Sequence, residues 1–199
     1  MAQMPDLAGI RAALARPGRP SSDFDLNPNT VLPAGRKLRP AGVLAALTDS
    51  AGGLQLLLTK RSSGLKHHPG QIAFPGGKQD EGDDDVIAAA LREAHEEIGL
   101  PPAHVEVLGQ LPAHETVTGF LVTPVICHVG RPFKIVPEPG EVAEVFSVPL
   151  AHVLNTSNFI IEGRRWRGQR RSYYAVPYGP YYIWGATARM LRAWTEQML

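Results

Sequence analysis

The sequence predicts an α/β fold in which helices flank a mixed β-sheet. Segments with strand and helix patterns alternate along the 199 residues, without the regular βαβ repeat of a doubly wound sheet. The length suits one domain, and hydrophobic residues form 44% of the chain, so a substantial core can be buried. We expect residues 1–38 to form an N-terminal helix and extended arm packed on a domain that spans 39–199.

The N-terminal part of the chain contains a weak helix, a polar arm and a β-hairpin. Residues 5–16 have a weak helical pattern, and the segment that follows them is rich in turn formers and charge. Two short apolar runs then surround the turn-forming residues 49–53, which indicates a hairpin over 41–61. Residues 62–85 contain many breakers and acids, and we expect one long ordered loop there.

A helix is predicted at 85–98. Four of its apolar residues fall on one stripe: Ile87, Leu91, Ala94 and Ile98. Either Asp84 or Asp85 would cap the N-terminus, and Gly99 would end the helix. Strand patterns follow at 104–111, 120–129, 143–148, 158–166 and 171–177.

Two more helices complete the prediction, a short one at 149–155 and a long one at 184–199. The basic run at 164–171 alternates Trp and Arg about Gly168, which is typical of an exposed hairpin rather than a nucleic-acid site.

The composition excludes several classes of protein. The formal net charge is only +1, so we expect neither nucleic acid nor a membrane as a partner. The one cysteine, Cys127, lies in an apolar run, which rules out an internal disulfide and a cysteine zinc cluster and favours a cytoplasmic location. No Ser-His-Asp order stands out. The sequence leaves monomer and homodimer open.

Three glutamates crowd one face near the end of the predicted helix. Glu93, Glu96 and Glu97 stand at offsets of zero, three and four, which puts their carboxylates side by side. Such pairs repel by about 0.2–0.5 kcal/mol each, and the helix dipole disfavours anions in the last turn. A solvated charged face is the common outcome of such a run, but a bound Mg²⁺ or Mn²⁺ would convert the repulsion into coordination.

The loop before this helix favours the metal interpretation. Its Gly76-Gly77 pair lets the backbone approach a ligand closely, and a run of acids follows. An EF-hand does not fit these acids, because the required spacing and the terminal Glu are missing. Glycines, an acidic loop and an Arg-Glu-x-x-Glu-Glu helix together indicate a metal-assisted phosphoryl site.

The stretch "GGKQDEGDDDVIAAALREAHEEIGL" resembles the Nudix box. Its second half matches throughout, with Arg92, Glu93, Glu96, Glu97 and Gly99. Counting back from Arg92 puts Lys78 where the box has Gly and Asp84 where it has Glu. One extra loop residue would leave Gly77 as the glycine, with Asp83 or Asp84 as the spaced acid.

The segment before the box, "LLTKRSSGLKHHPGQIAFPGG", is similar to the signature of Nudix coenzyme A pyrophosphatases, with Lys66 where that family commonly has Arg. The resemblance implies a Nudix-type α/β/α sandwich with a mixed sheet and a loop-helix-loop metal site. It also implies Mg²⁺- or Mn²⁺-dependent hydrolysis of coenzyme A to 3′,5′-ADP and 4′-phosphopantetheine. Two alternatives stay open: the same chemistry on NADH, ADP-ribose or a dNTP, and a non-catalytic metabolite-binding module.

The resemblance further implies roles for individual residues. Glu93 and Glu97 would hold the metal, with Glu96 and the Gly77 carbonyl assisting, and Arg92 would orient Glu93.

The general base is expected outside the box. Glu141 is the first candidate, with Glu115 and Glu144 as rivals. Arg61 and Lys66 are the expected contacts of the substrate phosphates, including the 3′-phosphate that distinguishes coenzyme A. The neighbouring histidines at 67 and 68 are expected to be surface residues.

Overall fold

The computed structural model describes residues 6–166 and 168–199, and in them one mixed sheet lies between two layers of helices. The helices are α1 Leu7–Leu14, α2 Val86–Ile98, α3 Leu150–Val153 and α4 Gly185–Met198. The strands are β1 Ser21–Ser22, β2 Arg39–Thr48, β3 Gln55–Arg61, β4 Ile72–Ala73, β5 Gly76–Lys78, β6 Val105–Gln110, β7 His114–Glu115, β8 Phe120–Val129, β9 Val142–Pro149, β10 Ile160–Trp166 and β11 Gln169–Ala175. The predicted fold class is confirmed.

Strand β2 lies at the centre of the large sheet. It runs parallel to β8 and antiparallel to β3 and β5. Strand β3 continues the sheet through antiparallel pairs with β9 and β4, and β8 continues it through β6 and β7. The short β1 joins the edge by a parallel pair with β7, so the sheet is mixed.

Alternating side chains of the central strands supply the two core layers. Leu56 and Leu58 of β3 pack with residues of α1, α3 and α4, and the intervening Leu57 packs with residues of α2. Trp194 of α4 and Ala94 of α2 are fully buried in these two layers. The sheet therefore separates α2 from the other three helices, which makes the architecture an α/β/α sandwich.

The helix predicted at 85–98 is confirmed as α2. Asp85 is its N-cap, because one carboxylate oxygen accepts hydrogen bonds from the backbone N–H groups of Ile87 and Ala88, both at 2.8 Å. The helix ends at Gly99, whose φ of 72° lies in the left-handed region that glycine adopts most readily. These caps fix which turn of the helix carries the glutamates.

The prediction of one unbroken loop at 62–85 is wrong. The segment contains β4 and β5, and β5 pairs Gly76, Gly77 and Lys78 with the central strand. Glycine has a low intrinsic preference for β-strands. These short pairings therefore follow from tertiary contacts that the sequence pattern does not reveal. They attach the loop to the sheet beside α2.

A buried polar chain attaches the N-terminal arm to the sheet edge. Ser21 Oγ lies 2.9 Å from His114 Nδ1, and His114 Nε2 lies 3.1 Å from a carboxylate oxygen of Asp23. This Ser-His-Asp arrangement was not evident from the sequence. His114 is fully buried, so these three side chains attach the arm to the sheet and offer no exposed nucleophile. Ahead of it, α1 covers most of the predicted helix at 5–16, whose residue 5 lies outside the described residues.

The C-terminal half follows the predicted order. Strands β6, β8 and β9 overlap their predicted segments, while α3 is shorter than the predicted helix. Strands β10 and β11 form a separate two-stranded hairpin, in which Arg167 of the predicted basic turn lies outside the described residues.

Cys127 is buried in the core, and this burial raises the pKa of its thiol to about 12. No helix in the described part of the chain is long and apolar enough to cross a membrane.

Candidate active site

The last two turns of α2 bring two of the three glutamates against the sheet. Glu97 is buried, with 4% of its surface exposed, and accepts a hydrogen bond of 3.1 Å from the backbone N–H of Gly76. The side chain of Glu93 is 16% exposed, and that of Glu96 is 58% exposed. Two carboxylates therefore face inward, and the third points toward solvent.

Gly77 is the residue that allows Glu93 to take this position. A Cβ atom added at Gly77 would lie 2.5 Å from Cδ of Glu93, closer than non-bonded carbon atoms approach. The carboxylate thus occupies the space that any larger residue would fill. The glycine predicted to begin the acidic loop is required here for close packing of the Glu93 carboxylate.

Burial raises the pKa of both inner carboxylates. Burial raises the pKa of Glu97 to about 7, against the opposing effects of the Gly76 hydrogen bond and the positive charge of Arg61. The negative charges of Glu93 and Glu141 raise the pKa of Glu97 further. Burial also raises the pKa of Glu93, although Arg92 opposes it. The site is a partly buried cluster of carboxylates that favours binding of positive charge.

Arg92 connects the acidic loop to the helix. Its guanidinium forms a bidentate pair with Asp83, with both N–O distances at 2.9 Å, and this pair is the main reason that the pKa of Asp83 is lowered. From the same guanidinium, Nη1 donates to Glu93 at 3.0 Å and to Glu96 at 3.2 Å. The donors of Arg92 are thus engaged by carboxylates and by the carbonyl of Lys78, and its guanidinium holds the Glu93 carboxylate in place.

The Asp83 contact distinguishes the two candidates for the spaced acid of the loop. Asp83 pairs with Arg92, whereas Asp84 is exposed. Asp83 also stands six positions after Gly77, the spacing that the box has between its glycine and its acid. The contact with Arg92 therefore favours Asp83 over Asp84 as the spaced acid, a choice that the sequence leaves open.

Glu141 is the candidate base that lies near the helix carboxylates. It is exposed, directly precedes β9, and its charge contributes to the raised pKa of both Glu93 and Glu97. The two rivals have other partners, since Glu115 forms an ion pair with Arg36 and Glu144 accepts a hydrogen bond from the hydroxyl of Tyr181.

Arg61 borders the carboxylate cluster from the end of β3. Its Nη1 lies 4.0 Å from a carboxylate oxygen of Glu97, and its side chain is 28% exposed. Its Nε is buried and has no hydrogen-bond partner among the described residues. A buried donor without a partner is costly, so this guanidinium is suited to an anionic ligand that completes its hydrogen bonds.

Lys66 and the histidines at 67 and 68 are exposed in the loop between β3 and β4. The structure brings Arg61 next to the helix carboxylates but leaves Lys66 on the surface of this loop.

The donors of the site are of the type that a hard divalent cation prefers. They are carboxylate oxygens. Glu93 is partly buried and Glu97 is largely buried, and burial raises the pKa of both. The Glu93 carboxylate lies against the backbone of Gly77. Within residues 6–166 and 168–199, however, no three acidic, histidine or cysteine side chains are grouped as a metal centre. Arg92 holds Glu93 and Glu96 in ion pairs, so Glu96 would have to turn inward to join such a centre.

The chain is similar to known proteins over most of its length. Residues 38–166 match the sequence profile described as "NUDIX domain". A protein of Enterobacter sp. (strain 638) named "Uncharacterized Nudix hydrolase NudL" is 45% identical over 137 residues, which are 69% of this chain and 71% of that protein. A protein of the same name from Photorhabdus laumondii is 41% identical over 143 residues, which are 72% of this chain and 76% of that protein.

Solved structures of similar proteins include a Nudix hydrolase from M. smegmatis, RenU. It is 28% identical, with a TM-score of 0.45, over 59% of this chain and 73% of that one. The NUDIX domain of Shewanella oneidensis NrtR, solved with ADP-ribose, is 23% identical, with a TM-score of 0.47, over 64% of this chain and 82% of that one.

Proposed function

The chain belongs to the NUDIX domain family, and from this premise we propose that it is a metal-dependent coenzyme A diphosphatase. As a Nudix hydrolase it acts on a nucleoside diphosphate derivative. The finer proposal is that the substrate is coenzyme A or one of its derivatives. In this reaction the oxygen of a water molecule bonds to one phosphorus while the bridging P–O bond breaks, which releases 3′,5′-ADP and 4′-phosphopantetheine.

The similarity of residues 57–77 to coenzyme A pyrophosphatases carries the proposal for the substrate, and one contact of Arg61 supports it. Arg61, which belongs to the segment similar to coenzyme A pyrophosphatases, lies 4.0 Å from Glu97 and has a buried donor without a partner among the described residues. This supports a direct link between that segment and the acidic site. We assign Arg61 to the diphosphate of the substrate, because a contact so near Glu97 belongs close to the bond that breaks. Lys66 is assigned to a substrate phosphate from the loop surface.

The metal of the proposed enzyme is Mg²⁺ or Mn²⁺. Glu93 and Glu97 would hold it, with help from Glu96 and the carbonyl of Gly77. When bound, such a cation neutralises phosphate oxygens and lowers the pKa of water.

The side chains of the site have separate tasks in this proposal. Arg92, held by Asp83, keeps the Glu93 carboxylate turned toward the reaction site. Glu141 accepts the proton of the attacking water, since it is exposed and electrostatically close to the two inner carboxylates. We assign these tasks to the domain at 39–199, and we propose that the N-terminal helix and arm pack on it.

A substrate panel tests this proposal. Coenzyme A, NADH, ADP-ribose and dNTPs are incubated with the protein and Mg²⁺ or Mn²⁺, and products are identified by mass spectrometry in water enriched in heavy oxygen. We expect coenzyme A to have the highest kcat/KM and to yield 3′,5′-ADP and 4′-phosphopantetheine. A higher kcat/KM for another compound would assign a different substrate, and binding without hydrolysis of any compound would make the chain a metabolite-binding module.

A further inference from the structure

A second concave site lies beside the end of β3, on the side of the sheet that faces α4. It is a cleft of about 500 Å³, within the usual range of small-molecule sites. Ile72 lines the cleft and belongs to the core layer of α4, and Lys60 precedes Arg61 on the same strand. Lys60 lines this cleft, whereas Arg61 lies 4.0 Å from Glu97 at the acidic site, so these neighbouring residues serve two different sites.

Separate elements of the fold supply the polar and aromatic walls of the cleft. The residues that matter for its chemistry are Lys60, His68, Arg164, Tyr181, Tyr182 and Trp184. Lys60 comes from β3, Arg164 from the hairpin of β10 and β11, and the three aromatic residues from the segment before α4. The hairpin, which forms its own sheet, thus contributes a cation to a site next to the large sheet.

The aromatic wall is held by contacts outside the cleft. The ring of Tyr181 stacks on that of Phe146, with centroids 3.6 Å apart and planes at 5°, and its hydroxyl donates to Glu144. The hydroxyl of Tyr182 donates to Glu162 at 2.8 Å. Fixed rings of this kind can stack on a flat aromatic ligand at little cost in conformational entropy.

Two cationic side chains, Lys60 and Arg164, line the cleft, and none of the described lining residues is acidic. In the described part of the chain, neither the ammonium group of Lys60 nor the guanidinium of Arg164 has an ion-pair partner. The nearby carboxylates of Glu144, which stands opposite Lys60 in the β3–β9 pair, and Glu162 accept hydrogen bonds from tyrosine hydroxyls. Two cations beside fixed aromatic rings are suited to a ligand that combines a planar base with a phosphate group.

We propose that this cleft binds the nucleoside end of the substrate, with the base against the aromatic wall and a phosphate monoester at Lys60 and Arg164. The inference rests on the proposed function, under which that monoester is the 3′-phosphate of coenzyme A. Lys60 and Arg61 are adjacent at the end of β3, so a substrate that spans the cleft and the acidic site would pass around this end of the strand. Lys60 and Arg164 then contact the 3′-phosphate in place of the Arg61 and Lys66 expected from the sequence, while Arg61 remains assigned to the diphosphate.

Direct binding without metal tests the cleft independently of hydrolysis. Affinities of 3′,5′-ADP and 5′-AMP are measured by calorimetry in the presence of a chelator, for the wild type and for Lys60→Gln and Arg164→Gln. Matched controls are Lys37→Gln, an exposed lysine of the N-terminal arm, and Arg165→Gln, which points to the other face of the hairpin. We expect each cleft variant to bind 3′,5′-ADP about tenfold or more weakly than the wild type, which is the effect of losing one charge-assisted hydrogen bond. Its affinity for 5′-AMP is expected to fall much less. Equal affinities in the cleft variants and their controls would overturn the assignment.

Kinetics separate this inference from the proposed function. On coenzyme A, Lys60→Gln is expected to raise KM, with a loss of kcat/KM about tenfold larger than its loss on dephospho-coenzyme A. If 3′,5′-ADP binds through Lys60 and Arg164 but coenzyme A is not hydrolysed, the proposed function fails, and the cleft remains assigned as a site for a nucleoside that carries a phosphate monoester. If coenzyme A is hydrolysed while the cleft variants behave as Lys37→Gln and Arg165→Gln, the cleft assignment fails alone.

Discussion

The carboxylate of Glu93 lies against the backbone of Gly77, and a Cβ atom at that glycine would lie 2.5 Å from Glu93 Cδ. This contact joins the loop and the helix of the site into one unit. It also explains why a glycine stands there, since the space that a side chain would need is occupied by a proposed metal ligand.

Gly77→Ala is therefore expected to displace the Glu93 carboxylate and to lower kcat/KM by about 10²-fold, the effect of misplacing a catalytic group by about 1 Å. The methyl group meets the end of a side chain rather than backbone, so the variant is expected to fold. Gly82→Ala is the matched control in the same loop, because a Cβ there meets nothing within 4 Å. Comparable kcat/KM values for the two variants would contradict this role of Gly77.

Glu97→Gln is expected to stabilise the metal-free protein at pH 8. Burial raises the pKa of Glu97 from 4.5 to about 7, so ionising this group in the folded state costs free energy that grows as the pH rises from 4.5 to 7 and is fully present above 7. At about 1.36 kcal/mol per pH unit, the variant gains up to about 3 kcal/mol at pH 8 and nothing below pH 4.5. Denaturant unfolding with a chelator at both pH values measures the difference.

The control for this measurement is Glu96→Gln, whose side chain is 58% exposed and whose substitution is expected to change stability little at either pH. If Glu97→Gln were no more stable than the wild type at pH 8, burial of an unfavourable charge at this position would be excluded.

Local signals explain which parts of the fold were predictable from the sequence. The bounds of α2 follow from its apolar stripe, an aspartate N-cap and a terminal glycine, all of which act within a few residues. The pairs of β5 with β2 and of Ser21 with His114 were missed, because they join segments that are distant in the chain and carry no local pattern. The same contrast between local patterns and distant contacts applies to the site. The grouping of the glutamates is predictable from their spacing on the helix, whereas the approach of Arg61 to Glu97 depends on how α2 packs on the sheet.

Glu141→Gln is expected to lower kcat by about 10²–10⁴-fold, the usual contribution of a general base, with little change in metal affinity. Glu115→Gln and Glu144→Gln are the comparisons, and both are expected to keep kcat near the wild-type value because their carboxylates have other partners. The loss of kcat in either comparison, with Glu141→Gln unaffected, would assign the base elsewhere. Metal affinity is measured separately by calorimetry.

Asp83→Asn is expected to lower kcat/KM by about 10- to 100-fold, the usual effect of losing a residue that orients a ligand. The substitution weakens the bidentate pair with Arg92 and so the orientation of Glu93. Asp84→Asn is the control at the neighbouring acid. Because Asp84 is exposed, this variant is expected to keep a kcat/KM near that of the wild type. The reverse order of the two variants would make Asp84 the spaced acid of the box.

The central claim is that carboxylates at the end of α2 support hydrolysis of the coenzyme A diphosphate, and turnover by Glu97→Gln tests it most directly. The substitution keeps the shape of a buried side chain and removes its charge, so the protein is expected to fold and to lose nearly all turnover of coenzyme A at saturating Mg²⁺. Release of 3′,5′-ADP is followed for the wild type and the variant under the same conditions. Near-complete loss is the predicted result, and a rate within about tenfold of the wild type would contradict the account.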